Sequence, residues 1–145
     1  MGNKKERALE LYDAGFSCSQ SVFGAFCEDY GVALKTGLQL SNGLAGGVQQ
    51  ADICGAVSGA ALVVGLRHGQ FDANDKASRQ NCNKMVREFL AEFKGRHGST
   101  ACRELLGLDA STPEGRAEAM KNNLFKTVCR GLIDSAAAIL EEQGY

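Results

Sequence analysis

The chain has 145 residues and a formal net charge of -1 at pH 7, which gives no electrostatic reason to expect nucleic-acid binding or attraction to an anionic membrane. Its length suits one domain with its own core. It contains six cysteines, and because no basic region followed by an apolar segment stands at its start, we expect no secretory signal. We therefore expect a cytoplasmic protein whose cysteines serve metal binding or redox chemistry, since structural disulfides are rare in that compartment.

Apolar residues at helical spacing, together with residues typical of helix ends, predict helices from the start of the chain. The first helix covers residues 3–14. The second follows the N-cap Ser17 in a capping box, so that Cys18 is its first residue. A weaker third helix lies within residues 32–44, and the glycine-rich loop 43–47 leads out of it.

A run of small and aliphatic residues from Asp52 to Leu66 predicts a buried helix at the centre of the fold, because it is too short to cross a bilayer. Gly55 and Gly59 lie four residues apart and share one face, where a second backbone can approach closely. Asp52 is the predicted N-cap, and Gly69 is the predicted stop.

Four further helices are predicted at residues 71–94, 99–107, 112–123 and 128–143. Gly95 ends the first of them, and Thr112 with Pro113 opens the third. The chain shows no convincing strand alternation and no domain linker. The predicted fold is therefore an all-α single-domain helical bundle over residues 1–145, built around the central Gly-rich helix.

The cysteines divide into two groups by their predicted positions. Four of them are expected in the first turn of a helix: Cys18, Cys54, Cys102 and Cys129. For Cys129 this assumes that Thr127 is the N-cap. A helix N-terminus lowers the pKa of a thiol, and the neighbouring Arg103 and Arg130 would add to that effect. The sequence predicts that these four thiols converge on one site. Cys27 and Cys82 lie mid-helix on apolar faces and are predicted to pack in the core.

The four helix-start cysteines stand in spaced segments: Gly15-Phe-Ser-Cys18-Ser-Gln-Ser-Val22, Cys54-Gly-Ala-Val-Ser-Gly59-Ala, Cys102-Arg-Glu-Leu-Leu-Gly107 and Cys129. Together they resemble the C_GCAxxG_C_C family of small redox-active proteins, over nearly the whole chain. The resemblance implies a redox role. It also places the family's four cysteines at these positions and its motif glycines at Gly55 and Gly59.

Two kinds of chemistry suit such thiols. The first is an electron-transfer site in which all four cysteines hold an iron–sulfur cluster or another thiophilic metal, although the chain contains no C-x-x-C run. Zinc in that place would be structural. His97, shortly before Cys102, is the better candidate for an additional ligand.

The second chemistry is metal-free thiol–disulfide exchange with a partner protein or a small thiol. Cys54 would attack, and Cys18 would resolve the mixed disulfide. The peptide N–H of Gly55 and the open glycine loop before the central helix favour Cys54 as the attacking thiol. A third alternative is a non-catalytic helical structural or binding module whose cysteines only pack.

Overall fold

The computed structural model describes residues 3–145, and its regular secondary structure in this range consists of helices. Eight α-helices follow in order: α1 (Lys4–Asp13), α2 (Cys18–Phe26), α3 (Leu34–Asn42), α4 (Gly55–His68), α5 (Lys76–His97), α6 (Cys102–Leu106), α7 (Pro113–Lys121) and α8 (Arg130–Glu142). Short helical turns at Cys27–Tyr30 and Phe125–Cys129 extend α2 and precede α8. Over residues 3–145 the only β interaction is an isolated antiparallel bridge between Ile53 and Ala101. The predicted all-α helical bundle is confirmed.

Helix α4 lies at the centre of the bundle, in contact with α2, α5 and α8. Its buried side chains are small or aliphatic, as in Ala56, Ala60 and Val63. At Gly59 an added Cβ would lie 2.7 Å from the carbonyl oxygen of Ser19 in α2. The two backbones are therefore in direct contact, and the prediction of a central Gly-rich buried helix is confirmed.

Helix starts that depend on local contacts lie where the sequence predicts them. Gln20 accepts a hydrogen bond from the N–H of Ser17 at 3.0 Å, which supports the first turn of α2. Thr112 Oγ1 accepts from the N–H of Gly115 at 3.0 Å, and Pro113 occupies the first position of α7. In both cases the partners lie within three residues, so no distant part of the chain is needed.

Three predicted boundaries are wrong. Helix α4 has Cys54, not Asp52, as its N-cap, because Asp52 makes contacts elsewhere: its carbonyl accepts from the N–H of Cys102 at 2.6 Å. Helix α5 continues through Gly95 to His97 and ends where Gly98 adopts φ 82°. The helical turn before α8 already contains Cys129, which therefore lies inside a helical segment and not at its N-terminus.

No helix within residues 3–145 combines the length and the apolar character that crossing a membrane requires. This agrees with the interpretation of the apolar run after Asp52 as a core helix. The buried apolar side chains of α1, α2, α4, α5 and α8 form one continuous hydrophobic cluster. One end of this cluster borders the cavity described next.

Candidate functional site

A cavity of about 310 Å³ opens at the end of the bundle where α2, α4 and α6 begin. Its walls hold the four cysteines that the sequence analysis singled out: Cys18, Cys54, Cys102 and Cys129. They come from three helix starts and from the turn before α8. All six cysteines of the chain are free thiols. The tertiary structure thus brings together residues separated by as many as 111 positions in the chain.

Cys18 is the first residue of α2, and its sulfur lies against the first turn of α4. An added Cβ at Gly55 would overlap Cys18 Sγ, so this glycine makes room for the thiol. Burial raises the pKa of Cys18, and hydrogen bonds from the backbone N–H groups of Gly46, Ser19 and Gly55 partly oppose that rise. The sulfur is therefore surrounded by peptide donors supplied by two helices and a loop.

Cys54 caps α4 and is only 6% exposed. Burial, followed by the electrostatic effect of Cys18, raises its pKa to about 12. The backbone N–H groups of Ala56 and Val57, at the start of α4, act in the opposite direction and lower the pKa, although the Cys54 side chain makes no capping hydrogen bond. The helix N-terminus favours the thiolate here, but desolvation outweighs it.

Cys102 and Cys129 complete the walls. Burial raises the pKa of Cys102, with a smaller contribution from Cys18. Burial also raises the pKa of Cys129 to about 12, with further contributions from the other three cysteines. Each thiolate would thus disfavour ionisation of its neighbours.

The expectation of lowered thiol pKa values is wrong for all four cysteines. Of the two neighbouring arginines, Arg130 forms a two-pronged ion pair with Asp13 at 2.9 and 3.0 Å, and Arg103 pairs with Asp52 at 3.1 Å. Their charges are therefore largely compensated. These buried sulfurs therefore remain neutral thiols at pH 7, because burial and any neighbouring thiolate both oppose ionisation. A bound cation would favour the thiolates instead.

The other two cysteines lie away from the cavity. Cys27 is fully buried, and its sulfur lies against Gly37 of α3, where an added Cβ would come within 2.5 Å of it. Cys82 is partly buried and packs against the core from α5. Both positions match the predicted packing role.

The described part of the chain, residues 3–145, places no three or more histidine, cysteine, aspartate or glutamate side chains so that they could hold a single metal ion. His97 is also absent from the cavity walls: its Nε2 lies 2.8 Å from Ser135 Oγ, and its ring packs on Phe93. The chain therefore supplies four thiols to one cavity without a fifth ligand from His97.

Among the residues of the cavity walls that sequence reasoning missed are Tyr12, Arg116 and Phe125. The hydroxyl of Tyr12 donates to the carbonyl of Phe125 at 2.7 Å and ties α1 to the turn that carries Cys129. Burial raises the pKa of Tyr12, followed by the effects of Cys129 and Cys18. The only signal available in the sequence was the position of Tyr12 on an apolar helix face, where a hydroxyl requires a partner.

The raised pKa of Cys54 should make the metal-free protein less stable at alkaline pH. The pKa is about 12 in the fold and about 8.5 in an unfolded chain. Between these values the folded state holds more protons, so the free energy of unfolding falls as pH rises. Urea unfolding from about pH 7 to about pH 10 should show a smaller fall for Cys54→Ser, which lacks this titration. An equal fall in both proteins would contradict this expectation.

Comparison with known proteins identifies one family. A family model described as "Putative redox-active protein (C_GCAxxG_C_C)" matches residues 16–143, a range that contains all four cavity cysteines. No curated protein and no solved structure shows a significant match to the chain.

Proposed function

This chain belongs to the C_GCAxxG_C_C family, and from that premise we propose that its redox activity resides in the four-cysteine cavity, as an iron–sulfur site for electron transfer. The observation that carries the proposal is the meeting of four free thiols, from four separate segments, around one cavity. Iron–sulfur clusters are held by four cysteine thiolates. The residues that would hold the cluster are Cys18, Cys54, Cys102 and Cys129.

The donor set fits a polynuclear cluster better than a single ion. A cluster separates its four thiolates more widely than a mononuclear site does. Among residues 3–145 no side chains stand close enough together to hold a single metal ion, and this does not argue against a cluster. Zinc, which needs four ligands in close tetrahedral contact, fits the arrangement less well.

The charges around the cavity also support a bound cluster. Of the described residues that line it, Arg116 is the only cationic one, so four thiolates would carry mostly uncompensated charge. A bound cluster would supply the positive charge that stabilises them, and with it the capacity to accept or donate one electron. The peptide N–H groups of Gly46 and Gly55 face Cys18 Sγ and would tune the reduction potential.

The first test is elemental analysis of protein purified without oxygen and without a metal-binding affinity tag. We expect near-stoichiometric iron together with acid-labile sulfide. Stoichiometric zinc would instead indicate a structural site and overturn the electron-transfer proposal. Protein without metal, in which all four thiols react with a thiol reagent, would overturn it in favour of the second candidate below.

A specific contact favours metal-free thiol–disulfide exchange as that second candidate. Cys18 Sγ lies against Gly55, which directly follows Cys54, and Cys18 contributes to the raised pKa of Cys54. Cys54 thiolate would attack the disulfide of a partner protein or small molecule, releasing one partner thiol and forming a mixed disulfide. Cys18 would then attack Cys54 sulfur and release the second thiol, so that two electrons and two protons pass to the partner.

The raised pKa of Cys54 slows the first of these steps, because only the thiolate attacks. The cluster is preferred because it uses all four thiols of the cavity, whereas disulfide exchange uses two. Either chemistry needs a reducing compartment to keep six thiols free, so a cytoplasmic location belongs to the same proposal.

A further inference from the structure

One wall of the cavity is a turn of left-handed backbone, residues 46–51, which we call the left-handed turn. Its positive φ angles are 66° at Gly46, 63° at Gly47, 55° at Val48, 61° at Gln49 and 55° at Ala51. Residues with a Cβ rarely adopt this conformation, and a β-branched valine is an outlier there. The turn is therefore strained and requires support from the rest of the structure.

Among the side chains of the left-handed turn, that of Ala51 is buried, but that of Val48 is not. Val48 is 54% exposed, so its burial cannot compensate the strain. Within the turn, Gln49 Nε2 donates to the carbonyl of Ala45 at 2.9 Å, and Asp52 N–H donates to the carbonyl of Gly47 at 3.3 Å. Like the bond from the N–H of Val48 to the carbonyl of Leu44 at 3.2 Å, these bonds join residues close in the chain and do not attach the turn to α6.

Arg103 makes that connection. Its Nε donates to the carbonyl of Ala51 at 3.2 Å, and its Nη2 donates to the carbonyl of Gln50 at 3.0 Å and to Asp52 Oδ1 at 3.1 Å. Only the planar guanidinium can reach two carbonyls and a carboxylate at once. Arg103 directly follows Cys102, whose own N–H donates to the carbonyl of Asp52. The first two residues of α6 thus bind three consecutive carbonyls, those of residues 50–52.

The left-handed turn also touches the site. Gly46 and Gln49 line the cavity, and the N–H of Gly46 faces Cys18 Sγ. Gly47 is required beside them, because an added Cβ there would overlap the backbone nitrogen of Asp52. Any relaxation of the turn toward ordinary backbone angles would withdraw the Gly46 N–H from the sulfur and open the wall next to Cys18.

We propose that Arg103 is a positioning residue that clamps the left-handed turn over the cavity and so sets the environment and accessibility of Cys18. Its importance for redox activity rests on the proposed function, because the clamp acts on the same cavity. The clamp itself is a property of the metal-free protein. It can therefore be tested whether or not a cluster binds.

The test compares Arg103→Gln and Arg103→Lys with the control Arg96→Gln, in metal-free protein under native conditions. Arg96 is a surface arginine that also contacts two partners, Glu92 and Glu142, far from the cavity. Hydrogen exchange measured by mass spectrometry reports on residues 44–53, and site-resolved alkylation with iodoacetamide reports on Cys18. Thermal unfolding followed by circular dichroism checks the fold of each variant.

We expect Arg103→Gln to accelerate alkylation of Cys18 by at least about tenfold and to speed exchange selectively in residues 44–53. Arg103→Lys should behave similarly, since an ammonium cannot span both carbonyls. Wild-type rates in Arg103→Gln would overturn the proposal. Wild-type rates in Arg103→Lys would also overturn it, because Arg103 would then act only as a positive charge beside Asp52. So would an equal acceleration of hydrogen exchange in all helices, which would show that Arg103 stabilises the fold as a whole. Iron analysis of the wild type is independent of all these outcomes.

Discussion

Replacing Cys54 with serine should reduce the iron and acid-labile sulfide of anaerobically purified protein to background. Cys54 is the most buried of the four cavity cysteines, and it occupies the N-cap of α4. Serine is a preferred N-cap residue, so α4 should still begin at Gly55 and the protein should still fold. Its hydroxyl is a poor substitute for a thiolate ligand, and the loss should therefore be specific to the site.

The matched controls are Cys82→Ser and Cys27→Ser, which remove thiols that lie outside the cavity. Both variants should keep the iron and sulfide content of the wild type, although Cys27→Ser should be less stable because it buries a hydroxyl in the core. If Cys54→Ser retained the wild-type content, the assignment of Cys54 as a ligand would be wrong. In metal-free protein, Cys54→Ser should equally fail to form a reversible disulfide with Cys18.

Replacing Gly59 with alanine should lower the free energy of unfolding by about 1–3 kcal/mol, although alanine is the better helix former. The added Cβ would lie 2.7 Å from the carbonyl oxygen of Ser19, and a backbone atom cannot swing aside as a side chain can. Helices α2 and α4 would have to separate, which would loosen the packing around Cys18 and Cys54. Urea or thermal denaturation measures the effect.

Gly65 provides the control in the same helix. An added Cβ at Gly65 meets no atom within 4 Å, so Gly65→Ala should raise stability by about 0.4–1 kcal/mol through helix propensity. If Gly59→Ala lowers the free energy of unfolding and Gly65→Ala raises it, Gly59 is needed for the close approach of α2 and α4. If both variants were stabilised, the contact between α2 and α4 would not constrain this position.

Local signals predicted the helices well, and long-range contacts explain the errors. Ser17 and Gln20 place the start of α2 correctly because both partners lie in one turn. Asp52 has an equally suitable side chain for capping, but Arg103 and Cys102 engage it from about fifty residues away. No local rule reveals that competition, so Cys54 became the N-cap instead.

The left-handed turn was equally beyond sequence reasoning. A glycine-rich loop at residues 43–47 was predicted, and Gly46 and Gly47 do adopt positive φ angles. Nothing in the sequence indicates that Val48 adopts one too. The contacts that Arg103, in a different helix, makes with the carbonyls of Gln50 and Ala51 are equally invisible in the local sequence.

The sequence by itself determined the all-α fold, the central Gly-rich helix and the identity of the four cysteines, because helical periodicity, capping residues and spaced motifs are all visible along the chain. The tertiary structure alone decided that the four thiols share a cavity, that Arg103 clamps its wall and that the thiol pKa values rise. The direction of those pKa shifts depends on how much water the surrounding helices exclude, and for Cys54 that exclusion outweighs the favourable helix N-terminus. Desolvation is a property of the whole packed structure, and for that reason no single segment of the chain reveals it.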